Sequence, residues 1–239
     1  MGECILITGA SGAIGSAIAL ELAGPDMNLL LHYAFSKEQA EQVKRECKAR
    51  GAEADILQAD LSKPQSAALL FKTIEPRVDK VVYACGTAHY QLFQEITQQE
   101  MSELIQLHLG SAMELTQLLL PAMIHRKKGC FVFVSSIWGQ EGAAMEVVYS
   151  TVKSGINGFV KALSKETARS GIRINAVAPG VVKSKMIAHL SEPELRELED
   201  NISAGRIGKA EEVASSVEFL LSERASYVHG HILKVDGGW

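Results

Sequence analysis

Three side chains in this sequence have types and spacing suited to acid–base chemistry on a carbonyl. Tyr149 and Lys153 occupy positions i and i+4 of a segment with helical period, Val147–Ser170, so they share one helix face. Ser136 closes the apolar run CFVFVSS, thirteen residues before the tyrosine. An ammonium beside a phenol favours the phenolate, which predicts a tyrosine pKa lowered towards neutrality. A serine hydroxyl facing the pair would hold a carbonyl oxygen while the phenol gives it a proton. A lone Tyr-x-x-x-Lys is most often an exposed helical pair. The strand-end serine and a glycine loop make the combination more specific.

That loop is Thr8-Gly9-Ala10-Ser11-Gly12-Ala13-Ile14-Gly15, which follows the first apolar run and opens a helix. A glycine-rich strand-to-helix turn lets backbone N–H groups approach a pyrophosphate at the positive helix end. Gly9, Ser11, Gly12, Ala13, Ile14 and Gly15 are therefore candidates for nucleotide binding; a plain tight turn is the other reading. Gln58-Ala59-Asp60-Leu61 closes the third run. Asp60, with Leu61 beside it, either faces a ligand at the carboxyl edge of a sheet or begins the turn before Ser62 and Pro64.

The elements that must position these groups alternate along the chain. The apolar runs are CILIT, NLLLHY, ADILQA, KVVYAC, CFVFVSS, IRINAVAP and HILKVD. Between them lie helical patterns near Ile14–Ala23, Lys37–Arg50, Pro64–Ile74, Gln99–Arg126, Val147–Ser170 and Ala210–Ser222. Unbroken apolar runs indicate strands covered on both faces, and the βαβ order indicates a parallel sheet with right-handed crossovers. The expected fold is α/β: a Rossmann-type, doubly wound, parallel seven-stranded sheet with helices on both faces. Glycines just past basic last turns, at Gly51, Gly129 and Gly171, are expected to cap helices. The polar stretch 183–208 breaks the rhythm and is expected to be a substrate lid, with Met186, Ile187 and Leu190 as its apolar underside.

With 239 residues and no composition break, a single catalytic domain over 1–239 is expected. Apolar residues at 47% permit a large core, and a net charge of −4 argues against a general nucleic-acid binder. Cys4, Cys47, Cys85 and Cys130 form no CxxC pair, so they read as reduced core thiols with no metal site. The chain starts directly on a strand pattern, and its apolar stretches are too short to span a bilayer; a cytoplasmic protein is expected.

Taken together these residues resemble the short-chain dehydrogenase/reductase family over the whole chain. The matching positions are Thr8-Gly9 to Gly15, Asp60, Ser136, Tyr149, Lys153, Asn175-Ala176-Val177-Ala178-Pro179-Gly180 and Val235-Asp236-Gly237-Gly238. The resemblance implies an NAD(P)H-dependent carbonyl reductase with strand order 3-2-1-4-5-6-7. It makes Tyr149 the general acid and Ser136 the substrate-orienting hydroxyl, while Lys153 binds the nicotinamide ribose and lowers the tyrosine pKa. It puts the cofactor against the glycine loop, Tyr33 and Lys37, then Asp60 and Leu61, then Ala84 and Gly86. Tyr149, Lys153, Pro179, Gly180, Val182 and Ser184 complete that implied contact. It also implies a homotetramer built on Gln99–Arg126 and Val147–Ser170.

Three departures stand out. Ala13 replaces the middle glycine, and one methyl there would loosen the pyrophosphate contact. Tyr83-Ala84-Cys85-Gly86 replaces Asn-Asn-Ala-Gly, removing hydrogen bonds that brace the sheet. His108 replaces the asparagine of the catalytic tetrad and is either its functional substitute or a structural residue. A non-catalytic dinucleotide sensor is the reading of another class, favoured by these losses and opposed by retention of Ser136, Tyr149 and Lys153.

No acid ends the second strand at His32-Tyr33-Ala34-Phe35-Ser36-Lys37, so nothing there repels a 2′-phosphate; Lys37 and also His32 are candidates to meet it. NADPH is expected to be preferred over NADH. Gly205-Arg206-Ile207-Gly208 and Glu211-Glu212-Val213-Ala214 resemble the 3-oxoacyl-[acyl-carrier-protein] reductases of fatty acid biosynthesis. Ser135 to Gln140, Tyr83 to Gly86 and His108 resemble the reductases of 5-aminopentanone groups on elongation factor P. Either implies a ketone on an arm of a small acidic protein, acyl carrier protein or elongation factor P. Arg126, Lys127, Lys128, Arg169 and Arg173 are docking candidates, with helix capping as their alternative. Trp138 either walls the substrate pocket or packs in the core.

Overall fold

The computed structural model describes residues 2–74, 77–184, 187 and 190–239. Seven strands form one sheet: β1 (Glu3–Thr8), β2 (Met27–Tyr33), β3 (Glu53–Gln58), β4 (Lys80–Tyr83), β5 (Gly129–Val134), β6 (Ile172–Pro179) and β7 (Ile232–Val235). All neighbours are parallel, in the order β3-β2-β1-β4-β5-β6-β7. The order reverses between β1 and β4, which opens a crevice beyond their carboxyl ends, where Thr8 lies beside Tyr83.

Alternation along the strands builds two cores. Ile5, Ile7, Val132 and Val134 face one side, under α1 (Ala13–Leu22), α2 (Lys37–Ala49) and α8 (Ala210–Leu221). Leu6, Phe131, Phe133 and Ile174 face the other, under α3 (Ser66–Thr73), α5 (Ser111–Arg126) and α6 (Val147–Thr167). Both faces of β5 are buried, which explains its unbroken apolar run.

The structure departs from the expected elements in three places. The segment expected as one helix over Gln99–Arg126 is α4 (Gln98–Ile105), a π-helical turn at Gln106–Gly110, then α5. Gly51 and Gly171 do adopt the left-handed conformation, at φ 92° and 74°. At the end of α5, however, Lys127 takes that conformation and Gly129 instead opens β5 opposite Ile172. Finally, the polar stretch contains α7 (Glu192–Asp200), started by a capping box in which Ser191 and Glu194 exchange hydrogen bonds.

The expected lid is only partly free. Ala204 N donates to Gly237 O at 2.9 Å, Ser203 Oγ donates to Gly238 O at 2.6 Å, and Gly208 bridges to Val182. Residues 202–208 are therefore anchored, and α7 has no buried residue. Ile187 and Leu190 are half-buried, and Met186 lies outside the described residues.

The basic cluster also divides. Arg173 donates to the carbonyls of Leu220, Leu221, Ser222 and Ala225 at the end of α8, and Arg126 Nη2 donates to Val78 O at 2.7 Å. These two side chains are structural rather than docking groups. Lys127, Lys128 and Arg169 are exposed, at the amino ends of β5 and β6, the far end of the sheet from Ser136. Replacing Arg173 with methionine strands several helix-end carbonyls, so Arg173→Met should lower unfolding free energy by about 2–3 kcal/mol in urea titrations while leaving cofactor affinity unchanged.

Candidate active site

Ser136 leaves β5 in extended conformation and caps a short 3-10 turn, Ile137–Gly139, its Oγ accepting from the Trp138 amide at 3.2 Å. Tyr149 and Lys153 lie on the first turns of α6. The seam between turn and helix is closely stitched. Gly139 O accepts from Ser154 Oγ and Asn157 Nδ2, both at 2.9 Å, and Ser135 Oγ donates to Asn157 Oδ1 at 2.7 Å. Asn157 was not singled out from sequence, although Tyr149, Lys153 and Asn157 follow the i, i+4, i+8 pattern of one helix face.

Lys153 is almost wholly buried, with Nζ donating to Val134 O at 2.8 Å and lying 5.4 Å from the centre of the Tyr149 ring. Burial pulls its pKa down to about 8. Tyr149 departs from expectation. Its residue surface is partly open, but burial around the hydroxyl pushes its pKa up to about 12, outweighing the lowering by the neighbouring Ser136 hydroxyl. The expected lowering fails because desolvation of the phenolate dominates, and the Glu146 carboxylate adds to it. A phenol that stays protonated is nevertheless the state a proton donor needs.

His108 sits on the π-helical turn, buried, with its ring edge-on to Tyr149 at 5.4 Å and 88°. Nε2 is 2.8 Å from Thr87 O and 3.3 Å from the Thr87 amide; the shorter contact makes it a donor. Nδ1 then carries a lone pair, buried and without a protein partner. Burial, reinforced by Lys153, holds the ring neutral, its pKa well below the ordinary value. The missing asparagines are replaced by other ties. Tyr83 Oη donates to Leu107 O at 2.5 Å, binding β4 to the turn that carries His108, and Ala84 N donates to Thr8 Oγ1 at 3.1 Å. A Cβ on Gly86 would come within 2.8 Å of His108 Cε1, so the histidine depends on glycine there.

The glycine loop sits at the crevice. Gly9 turns at φ 68°, and a Cβ there would meet Ala84 O at 2.9 Å. Ala13 is the first residue of α1, directly after Gly12 at the cap position. No side chain caps α1, and its first turn holds no acid. This uncapped positive helix end, with the Lys153 ammonium farther along the crevice, fits a dinucleotide. Asp60 Oδ1 accepts from Ser62 N at 3.1 Å and Oγ at 2.7 Å, so this carboxylate shapes the turn after β3. Tyr33 and Leu61 are buried, the Tyr33 hydroxyl 3.5 Å from Gln58 Oε1. Phe35, Ser36 and Lys37 are exposed past β2, whereas His32 is buried and cannot reach a 2′-phosphate. At the carboxyl end of β6, Gly180 N donates to Val235 O at 3.0 Å, with Pro179 before it and Val182 and Ser184 after it.

Trp138 is half-buried and packs edge-on against Trp239, at 5.4 Å and 88°. A Lys234–Glu141 ion pair of 2.6 Å joins the same two segments. Trp239 was not anticipated from sequence. Among the described residues no cluster of His, Cys, Asp or Glu could hold a metal, and no helix is long and apolar enough to cross a membrane.

The family described as enoyl-(acyl carrier protein) reductase matches residues 9–239. This chain belongs to the short-chain dehydrogenase/reductase family. It is an oxidoreductase, 45% identical over 240 residues to "uncharacterized oxidoreductase YmfI" of Bacillus subtilis (strain 168), covering 100% of this chain and 99% of that protein. It is 33% identical over 241 residues to the 3-oxoacyl-[acyl-carrier-protein] reductase FabG of Staphylococcus epidermidis, covering 100% and 99%. A 3-oxoacyl (acyl-carrier-protein) reductase of Agrobacterium tumefaciens C58, crystallised with NADP bound, superposes with a TM-score of 0.93 at 28% identity, covering 100% of this chain and 94% of that one.

The ammonium of Lys153 exists below about pH 8 and is lost above it, well before Tyr149 ionises. Ketone reduction at saturating cofactor should therefore fall as pH rises through about 8, with no second loss until far higher pH. A profile level to pH 10 would refute this order of titration.

Proposed function

We propose that this protein reduces a ketone to an alcohol with NADPH, the ketone being carried on a flexible arm of a small acidic protein. The observation that carries the reading is the grouping of Ser136, Tyr149 and Lys153 at the carboxyl edge of the sheet beside the glycine loop. A nicotinamide dinucleotide bound there supplies a hydride to the carbonyl carbon. Ser136 Oγ holds the carbonyl oxygen, and the protonated Tyr149 hydroxyl gives it a proton as negative charge develops. Lys153, fixed by Val134 O, favours that charge through its ammonium and offers donors to ribose hydroxyls. Neutral His108 keeps the phenol ring in place by its edge contact and leaves the Nδ1 lone pair as an acceptor deep in the site. Lys37 meets the 2′-phosphate at the exposed end of β2, the likeness to an NADP-bound reductase supporting that choice. The exposed helix α7 closes over substrate, and Trp138 walls its approach.

A second substrate, an aminopentanone group on elongation factor P, is favoured over an acyl-carrier thioester by one observation. Tyr83 and His108, which depart from the 3-oxoacyl reductase pattern, form one connected unit against Tyr149, with Gly86 leaving room for the imidazole. Turnover with NADPH on acetoacetyl thioester and on modified elongation factor P, side by side, separates the two. Tyr149→Phe should reduce either rate by at least about 100-fold. Oxidation of NADPH at an undiminished rate by that variant would sink the mechanism. Lys37→Glu should lower kcat/KM for NADPH about tenfold relative to NADH, as read from paired initial rates.

A further inference from the structure

Beyond these roles, we propose that His32 is the positioning residue of the pyrophosphate loop, a neutral imidazole in one fixed tautomer that ties the Gly9 amide to the Ala59 carbonyl. The ring is 1% exposed, at the carboxyl end of β2 between β1 and β3. Gly9 N donates to His32 Nδ1 at 3.2 Å, which requires a lone pair on Nδ1. Nε2 lies 3.0 Å from Ala59 O, which requires a proton on Nε2. One tautomer meets both demands. A flipped ring would turn carbon atoms towards both partners, leaving a buried amide and a buried carbonyl unpaired.

The backbone of the same residue completes the hold. Ala10 N donates to His32 O at 2.8 Å, so two successive amides of the loop end on one residue. Gly9 needs the side chain because its left-handed turn takes its N–H out of the strand ladder. Ala59 adjoins Asp60, whose carboxylate orders the turn after β3. The imidazole thereby joins the loop under the pyrophosphate to the strand end on the adenosine side. A loop ordered before binding lowers the conformational cost of taking up the ligand.

The groups around the ring keep it neutral. Burial pulls the His32 pKa down to about 4, against opposing effects from its bond to Ala59 and from Asp60. Two residues past the end of β4, the Cys85 sulfur is 3.6 Å from Nδ1; its own pKa is pushed up to about 12, so it faces the lone pair as an uncharged thiol. This arrangement withdraws His32 from the set of cations available to a 2′-phosphate and gives it a role that composition and spacing did not suggest.

The inference rests on the loop holding a dinucleotide, and the test separates the two claims. An asparagine amide oxygen can stand near the position of Nδ1, and a glutamine amide nitrogen near that of Nε2. Calorimetric titration with NADP⁺, without substrate, should give His32→Asn a Kd within about threefold of the wild type and His32→Gln a Kd raised by about tenfold or more. Hydrogen exchange of the Gly9 amide in the ligand-free protein should quicken in the glutamine variant alone. Equal weakening in both variants, or wild-type affinity in the glutamine variant, overturns the proposal; no NADP⁺ binding by the wild type refutes the cofactor reading beneath it. Should the glutamine variant not fold, imidazole ¹⁵N shifts of the wild-type protein decide the matter. A neutral His32 protonated on Nδ1 would overturn it.

Discussion

The seam between the turn after β5 and the helix α6 is the constraint on which the site depends. Gly139 O takes hydrogen bonds from two successive turns of α6, through Ser154 and Asn157, and Ser135 reaches the same Asn157. Lys153 closes the seam from inside by donating to Val134 O. Ser136 follows the strand and Tyr149 lies on the helix, so their distance depends on how the turn after β5 is held to α6. The seam supplies that hold through buried polar groups whose partners are expensive to remove.

Burial also sets the charge states. Desolvation raises the phenol of Tyr149, lowers the ammonium of Lys153 and keeps His108 and His32 neutral. Each of these directions follows from disfavouring the charged form in a dry environment. The ammonium is left as the main charge within the cluster, held by a single carbonyl. A neutral phenol and an ammonium thus stand beside each other without neutralising one another.

Much of this was legible in the sequence. Seven apolar runs gave seven strands, because strands buried on both faces leave little choice of residue type. The spacing of Tyr149 and Lys153 singled out two side chains that the structure brings together with Ser136, since residues four apart share one helix face. Other features depended on contacts between distant segments. The π-helical turn under His108, the pairing of Trp138 with Trp239 and the bond from Gly9 to His32 have no local signature. The direction of the Tyr149 shift was misjudged because a sequence names neighbouring charges but not the depth of burial. Helix α7 could have been found: Ser191-x-x-Glu194 with Pro193 is a helix-start pattern, hidden by the polarity of the segment around it.

The contact between Trp138 and Trp239 has an optical consequence. These are the two tryptophans of the chain, and both stand near the turn that follows Ser136. Indole emission from the native protein therefore arises from one ring pair rather than from an average over the molecule. Its intensity and wavelength report on the turn beside Ser136, with no label introduced, and the overlap of indole emission with reduced-nicotinamide absorption makes the same pair a donor for energy transfer.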